Sequence, residues 1–122
     1  VSFVGFKSGD DLLKLITEAS FTILPSQWYE NCPMSILESM AVGTPVIGGH
    51  IGGIPELIEE NVDGYTFNAS DPASLAEIMK LLWSNPELRA TMGRKGSEKV
   101  HQRNTPEKQY KDLINLYKSL LA

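Results

Sequence analysis

Glu30 and Glu38 stand with seven residues between them, the first in a polar loop and the second inside a helical pattern. Between them, Pro33 suits the first turn of a helix, where its missing N–H costs nothing. A helix beginning there leaves the N–H groups of Met34, Ser35 and Ile36 without intrahelical partners at the positive end of the helix dipole, which suits an anion such as a phosphate. Glu38 lies one turn further in, on the side shared with Met34 and Ser35, within reach of hydroxyl groups attached to such a phosphate. Glu30 approaches from the loop side. Taken singly, such glutamates are more often a loop charge and a helix-surface charge. Here Ile36, Leu37, Met40 and Ala41 make much of the helix apolar, so that a carboxylate buried in it needs partners.

The elements that must position these groups can be read from spacing and punctuation. Val1–Gly5 alternates and is rich in branched and aromatic residues, which predicts a strand. Ser8-Gly9-Asp10-Asp11 offers capping chemistry for a helix through Ala19, and Phe21–Leu24 reads as a second strand. The helix from Pro33 to Val42 stops at Gly43, with Thr44-Pro45 just beyond. It leads to a nearly all-apolar third strand, Pro45–Gly48, of the kind buried in parallel sheets. This βαβαβ pattern, with right-handed crossovers, places the loops after the strands on one rim, where open α/β sheets bind ligands. After a flexible turn over residues 48–53 come a short helix at Ile54–Ile58 and an edge strand at Tyr65–Phe67. Asp71-Pro72 opens a helix with Leu75, Ile78, Met79 and Leu82 on one face, and Asn85-Pro86 breaks it and opens another, weakened by Gly93 and Gly96. Thr105-Pro106 starts the last helix, with the stripe Tyr110, Leu113, Ile114, Tyr117, Leu120 and Leu121.

Pro25-Ser26, the Glu30 to Glu38 spacing, Gly43-Thr44-Pro45-Val46-Ile47 and Gly52-Gly53-Ile54-Pro55-Glu56 together resemble the retaining glycosyltransferases of the two-Rossmann-domain type, family four, also called group 1. The resemblance covers nearly the whole chain. It implies an α/β, Rossmann-like parallel sheet with flanking helices, the C-terminal part of a two-domain glycosyltransferase, with residues 1–122 forming a partial nucleotide-sugar-binding domain. It further implies that Glu30 is catalytic and bonds hydroxyls of the donor sugar, that Asn31, Cys32, Pro33, Met34 and Ser35 line the sugar and diphosphate, and that Glu38 holds the nucleotide ribose. Phe6 and Lys7, at the sheet rim, are further candidates for the nucleobase, and Gly52 and Gly53 for donor or acceptor. On local evidence, Gly52 and Gly53 simply make a turn. Many members carry a Gly-Phe-Gly-like run after the first glutamate, whereas this chain reads Asn31-Cys32-Pro33. The resemblance also implies a basic Arg and Lys pair upstream of this chain, and a last helix, residues 105–121, that docks on an N-terminal domain missing here.

Composition bounds the alternatives. A chain of 122 residues makes one compact domain and too little for two, so a fragment of a longer enzyme is expected, inactive by itself. A net charge of −4 argues against nucleic acid as partner, and no apolar run approaches a membrane span. Cys32 is the single cysteine, which excludes an internal disulfide and favours a reducing compartment. A cytoplasmic protein, peripheral to the inner membrane face when full length, is the expectation. His50 and His101 lack companions at metal-ligand spacing, so neither metal nor cofactor is expected. Nothing near Cys32 in sequence activates it as a nucleophile. Trp28 and Tyr29 either stack on a sugar or pack beneath the loop, and Trp83 is expected in the core or at an interdomain contact. The expected partners are a nucleotide diphosphate sugar and a saccharide or lipid-linked acceptor. The rival readings are a nucleotide-sugar epimerase of the same fold, and a non-catalytic α/β module that docks through its last helix.

Overall fold

The computed structural model describes residues 1–121. Its elements are α1 (Gly9–Glu18), β1 (Thr22–Leu24), α2 (Met34–Ala41), β2 (Val46–Gly49), α3 (Ile54–Leu57), β3 (Gly64–Phe67), α4 (Pro72–Trp83), α5 (Pro86–Arg103) and α6 (Pro106–Leu121). The three strands are parallel in the order β1-β2-β3. The fold is therefore α/β, with helices flanking a parallel sheet, and Tyr65–Phe67 lies at the sheet edge as its position in the chain predicts. The strand expected at Val1–Gly5 does not form. Its alternation is a local signal, but a strand exists only with a neighbour to complete its ladder, and the segment is exposed, Phe3 at 98%.

The all-apolar β2 is the buried centre, and its alternating residues build a core on each face. Val46 joins Ile36, Leu37 and Met40 of α2, Ile54, Ile58 and Val100. Ile47 joins Phe67, Leu82 of α4 and Met92 of α5. Helices α4 and α5 start where the Asx-Pro pairs lie. Asp71 Oδ1 accepts the Ala73 N–H at 2.9 Å and Asn85 Oδ1 that of Leu88 at 3.1 Å, each satisfying an orphan first-turn donor.

Helix α2, whose amino end faces the rim of interest, is tied down by a short polar chain. Thr22 Oγ1 donates to Ser39 Oγ at 2.7 Å, and Ser39 Oγ donates to the Thr44 carbonyl at 3.0 Å. Thr44 Oγ1 in turn donates to the Ile16 carbonyl at 2.9 Å. Ser39 is fully buried, and this chain satisfies it. A second tie joins α5 to the turn before β3. Lys99 pairs with Asp63, which is 1% exposed, and donates to the Leu57 carbonyl at 2.6 Å, while Asp63 Oδ1 accepts the Glu59 N–H at 2.8 Å. With its remaining acceptors engaged in this way, the buried charge is compensated.

The two glycines expected to weaken α5 do not interrupt it, because both lie where the helix meets α2 and the turn that follows it. A Cβ on Gly93 would stand 1.9 Å from the Gly43 carbonyl oxygen, and one on Gly96 would stand 3.2 Å from Met40 Cγ. The α2·α5 contact thus depends on missing side chains. Trp83, expected in the core or at an interdomain contact, ends α4 at 71% exposure, so it is not core. None of α6 is buried, and its stripe stands open.

In a solvent-facing helix Gly→Ala stabilises by about 1 kcal/mol. Gly93→Ala is expected to do the reverse, lowering unfolding free energy by about 1–3 kcal/mol through overpacking against backbone. Urea unfolding followed by circular dichroism reads the sign, and a stabilised variant would contradict the packing described.

Candidate functional site

The loop after β1 carries Glu30 to the carboxyl rim of the sheet, and three bonds hold that residue. Ser26 Oγ donates to Glu30 Oε1 at 2.6 Å, the Glu30 N–H donates to the Trp28 carbonyl at 2.9 Å, and the Gly53 N–H donates to the Glu30 carbonyl at 2.6 Å. Ser26 is buried and Glu30 half-buried. With Oε1 engaged by Ser26, Oε2 is the acceptor left to meet a ligand hydroxyl.

The third bond exists because the turn after β2 runs against the Glu30 loop with no side chain between. A Cβ on Gly52 would lie 2.5 Å from the Glu30 carbonyl oxygen, and one on Gly53 would lie 2.0 Å from that of Asn31. Gly52 also takes φ +58, a left-handed conformation that L side chains adopt at a cost. Gly52 and Gly53 make a turn, as local evidence indicates, and the same two residues form the seat of Glu30 and Asn31.

Helix α2 begins one residue later than the proline rule predicts. Pro33 is the N-cap residue, with φ −69 and ψ 112, and Met34 the first helical residue. Of the amides expected to be open, that of Ile36 is taken by the Pro33 carbonyl at 3.2 Å, because the first turn tightens. The N–H groups of Met34 and Ser35 are the ones left at the positive end of the helix. Both residues are exposed, as are Asn31 and Cys32. Ser35 lines a cavity of about 210 Å³ with Leu12, Ile16, Ile36, Val46 and β1. Glu38 lies in the second turn, on the side of α2 away from the core, and is exposed. The sequence pattern suggested a carboxylate buried in an apolar helix. The structure corrects this, because the apolar stripe turns Ile36, Leu37 and Met40 inward and leaves Glu38 outside.

Phe6 and Lys7 are not gathered with the others. Phe6 is 93% exposed, and Lys7 lines a cavity with Val4 and the α1 residues Asp11, Lys14, Leu15 and Glu18, none of them in the Glu30 loop. Trp28 and Tyr29 do not pack beneath the loop; they are 77% and 87% exposed. Ser26 is the residue whose part sequence reasoning missed. Its spacing four residues before Glu30 and its place beside Pro25 were the available signals.

A parallel α/β sheet with a carboxylate loop and an open helix amino end on its carboxyl rim has the layout of the open α/β folds, which as a class take ligands at that rim. The chain belongs to the glycosyl transferases of group 1, whose family model matches residues 1–99. It is 32% identical over 118 residues to an uncharacterised glycosyltransferase of Methanocaldococcus jannaschii, an alignment covering 97% of this chain and 30% of that protein. Its fold superposes on sucrose-phosphate synthase from Thermosynechococcus elongatus with a TM-score of 0.86 at 28% identity, over 98% of this chain and 30% of that one. It also superposes on Anabaena HepE, solved in complex with UDP-glucose, with a TM-score of 0.85 at 24% identity, over 96% of this chain and 32% of that one. The chain thus spans about 30% of the length of these relatives. Among the described residues no helix is long and apolar enough to cross a membrane.

Gly53→Ala is expected to move the amide resonances of Glu30 and Asn31, whose backbone the added methyl must displace. Gly5→Ala, where no atom lies within 4 Å of the added carbon, is expected to leave them in place. Two-dimensional NMR of both variants checks this. Unmoved Glu30 and Asn31 signals in Gly53→Ala would mean that the two loops do not touch.

Proposed function

We propose that this chain is the donor-binding part of a retaining glycosyltransferase, which moves a sugar from a nucleotide diphosphate to a hydroxyl of a saccharide or lipid-linked acceptor. The observation that carries the reading is a carboxylate oriented by Ser26 in the loop that leads directly into α2, a few residues before the open amides of Met34 and Ser35. In the transfer, the bond from the anomeric carbon to the diphosphate breaks and one to the acceptor oxygen forms, so the site must hold sugar hydroxyls while charge grows on the leaving diphosphate. Glu30 Oε2 accepts the hydroxyls. The Met34 and Ser35 amides donate to the diphosphate, as preorganised dipoles that need no reorganisation when the charge develops. Asn31, Cys32 and Pro33 line the sugar between them, and Glu38, free on the outer side of α2, takes the ribose hydroxyls. No metal is assigned to this chemistry. The remaining charge is met by basic residues outside this chain, as the family resemblance implies. The UDP-glucose complex of a structural neighbour agrees with a nucleotide-sugar donor.

The same reading makes residues 1–122 one part of a nucleotide-sugar-binding domain, and gives the open stripe of α6 a partner in an N-terminal domain that brings the acceptor. The whole enzyme then works in the cytoplasm, peripheral to the membrane when its acceptor is lipid-linked. Phe6 and Lys7 stay outside the site built here.

In the complete enzyme, Glu30→Gln is expected to lower kcat/KM about 10²-fold, the scale on which a single preorganised polar group acts. Glu38→Gln is expected to raise the donor KM about tenfold with kcat little changed, as for lost uniform binding. Steady-state kinetics with the nucleotide sugar varied separates the two, and wild-type constants in both variants would sink the assignment. The 122-residue chain alone is expected to show no transfer.

A further inference from the structure

His50 has no place in the site as built, yet its ring is engaged. Its Nδ1 lies 3.0 Å from Thr66 Oγ1. Thr66 Oγ1 donates its one proton to Glu60 Oε2 at 3.0 Å, and the same oxygen accepts the Thr66 N–H at 2.9 Å. The hydroxyl of Thr66 therefore has only lone pairs to offer the imidazole, and His50 Nδ1 must be the donor. The backbone agrees with this anchorage, since the His50 N–H donates to the Phe67 carbonyl at 2.7 Å. His50 is thus fastened to β3 by main chain and side chain together.

Only Ile51 and Gly52 separate this anchor from Gly53, whose N–H holds the Glu30 carbonyl at 2.6 Å. The turn is spanned tightly. Ile51 packs on the core beneath, and Gly52 sits at φ +58 with no room for a Cβ. With so few rotatable bonds between the two fixed ends, a shift at His50 has little slack to disappear into before it reaches Gly53 and Glu30.

We propose that His50 is a positioning residue for the donor site: through Nδ1 and Thr66 it sets the turn whose Gly53 amide holds Glu30. This rests on the reading of Glu30 as the donor-sugar carboxylate. The imidazole does not touch the sugar. It specifies where the carboxylate stands, and so bears on the affinity for a polyhydroxylated donor. The Nδ1 donor is the chemically specific part, because Asn places an amide N–H near the Nδ1 position, whereas Gln extends beyond it.

The test uses the complete enzyme and two readouts, hydrogen exchange at the Gly53 amide and steady-state kinetics with the nucleotide sugar varied. His50→Ala and His50→Gln are expected to speed Gly53 exchange and raise the donor KM about fivefold, the scale of one exposed hydrogen bond, with a smaller change in kcat. His50→Asn is expected to restore both. Thr66→Val, which removes the acceptor and leaves the imidazole, is expected to match His50→Ala and to add nothing to it in the double variant. Wild-type exchange in His50→Ala overturns the proposal, as does failure of Asn to rescue or full additivity with Thr66→Val. A raised KM without faster Gly53 exchange also overturns it, since His50 would then meet the substrate directly. Faster exchange with an unchanged donor KM upholds the mechanical link and instead defeats the reading of Glu30 as the donor carboxylate, so the two failures are told apart.

Discussion

Glu30 is gripped at its carboxylate by Ser26, at its amide by the Trp28 carbonyl and at its carbonyl by the Gly53 N–H. The last of these requires two backbones to meet where any side chain would stand between them. A Cβ on Gly53 would approach Asn31 to 2.0 Å, a separation that no packing tolerates. This contact joins the loop after β1 to the turn after β2, the two segments that surround the amino end of α2. Without it the carboxylate would ride on a mobile loop, and a single hydroxyl bond to Ser26 would not fix its position against the helix.

The rest of the molecule keeps those segments in register. β2 supplies a buried floor with one core above it and another below, so the turn at its end starts from a fixed point. Helix α2 is fastened underneath by the chain from Thr22 through Ser39 and Thr44 to the Ile16 carbonyl, all short polar side chains in place of long charged ones. Helix α5 closes against α2 through Gly93 and Gly96, and its Lys99 reaches across to Asp63 and Leu57. The groups proposed for the site lie on loops and a helix end, while what positions them is packed scaffold, which is the usual division of labour in α/β folds.

Much of this is legible in sequence where the signal is local. The Pro33 and Gly43 boundaries of α2, the apolar run of β2, and the Asp71-Pro72 and Asn85-Pro86 starts all correspond to observed elements within a residue or so. The failures lie where residue type and spacing leave out the neighbours in space or the face a residue takes. Val1–Gly5 alternates like a strand, but no strand among the described residues pairs with it. Gly93 reads as a helix breaker because propensity ignores Gly43, distant in sequence and adjacent in space. Glu38 stands in a helix whose mostly apolar composition suggests burial, whereas the apolar stripe covers one face and leaves it outside. Trp83 by type suits the core or an interdomain contact, and its exposure excludes only the first. At the site, the motif residues pointed to Glu30 and to the Gly52-Gly53 turn separately, and only the structure shows that they touch. The hydroxyl of Ser26 and the imidazole of His50 belong to the same class of nonlocal information, since each matters through a partner that the linear sequence does not mark.

The central claim is that Glu30, the Gly53 amide and the amino end of α2 form one site for a nucleotide sugar. The most direct measurement is an amide NMR titration of the complete polypeptide with UDP, GDP and ADP, each alone and carrying a hexose. The matching nucleotide is expected to move Met34, Ser35 and Glu38, and its sugar-bearing form to move Glu30 and Gly53 as well, with one common midpoint. Saturable shifts that spare Glu30 and Gly53 with every sugar-bearing donor, or that cluster instead on α6 or on residues 1–8, would contradict it.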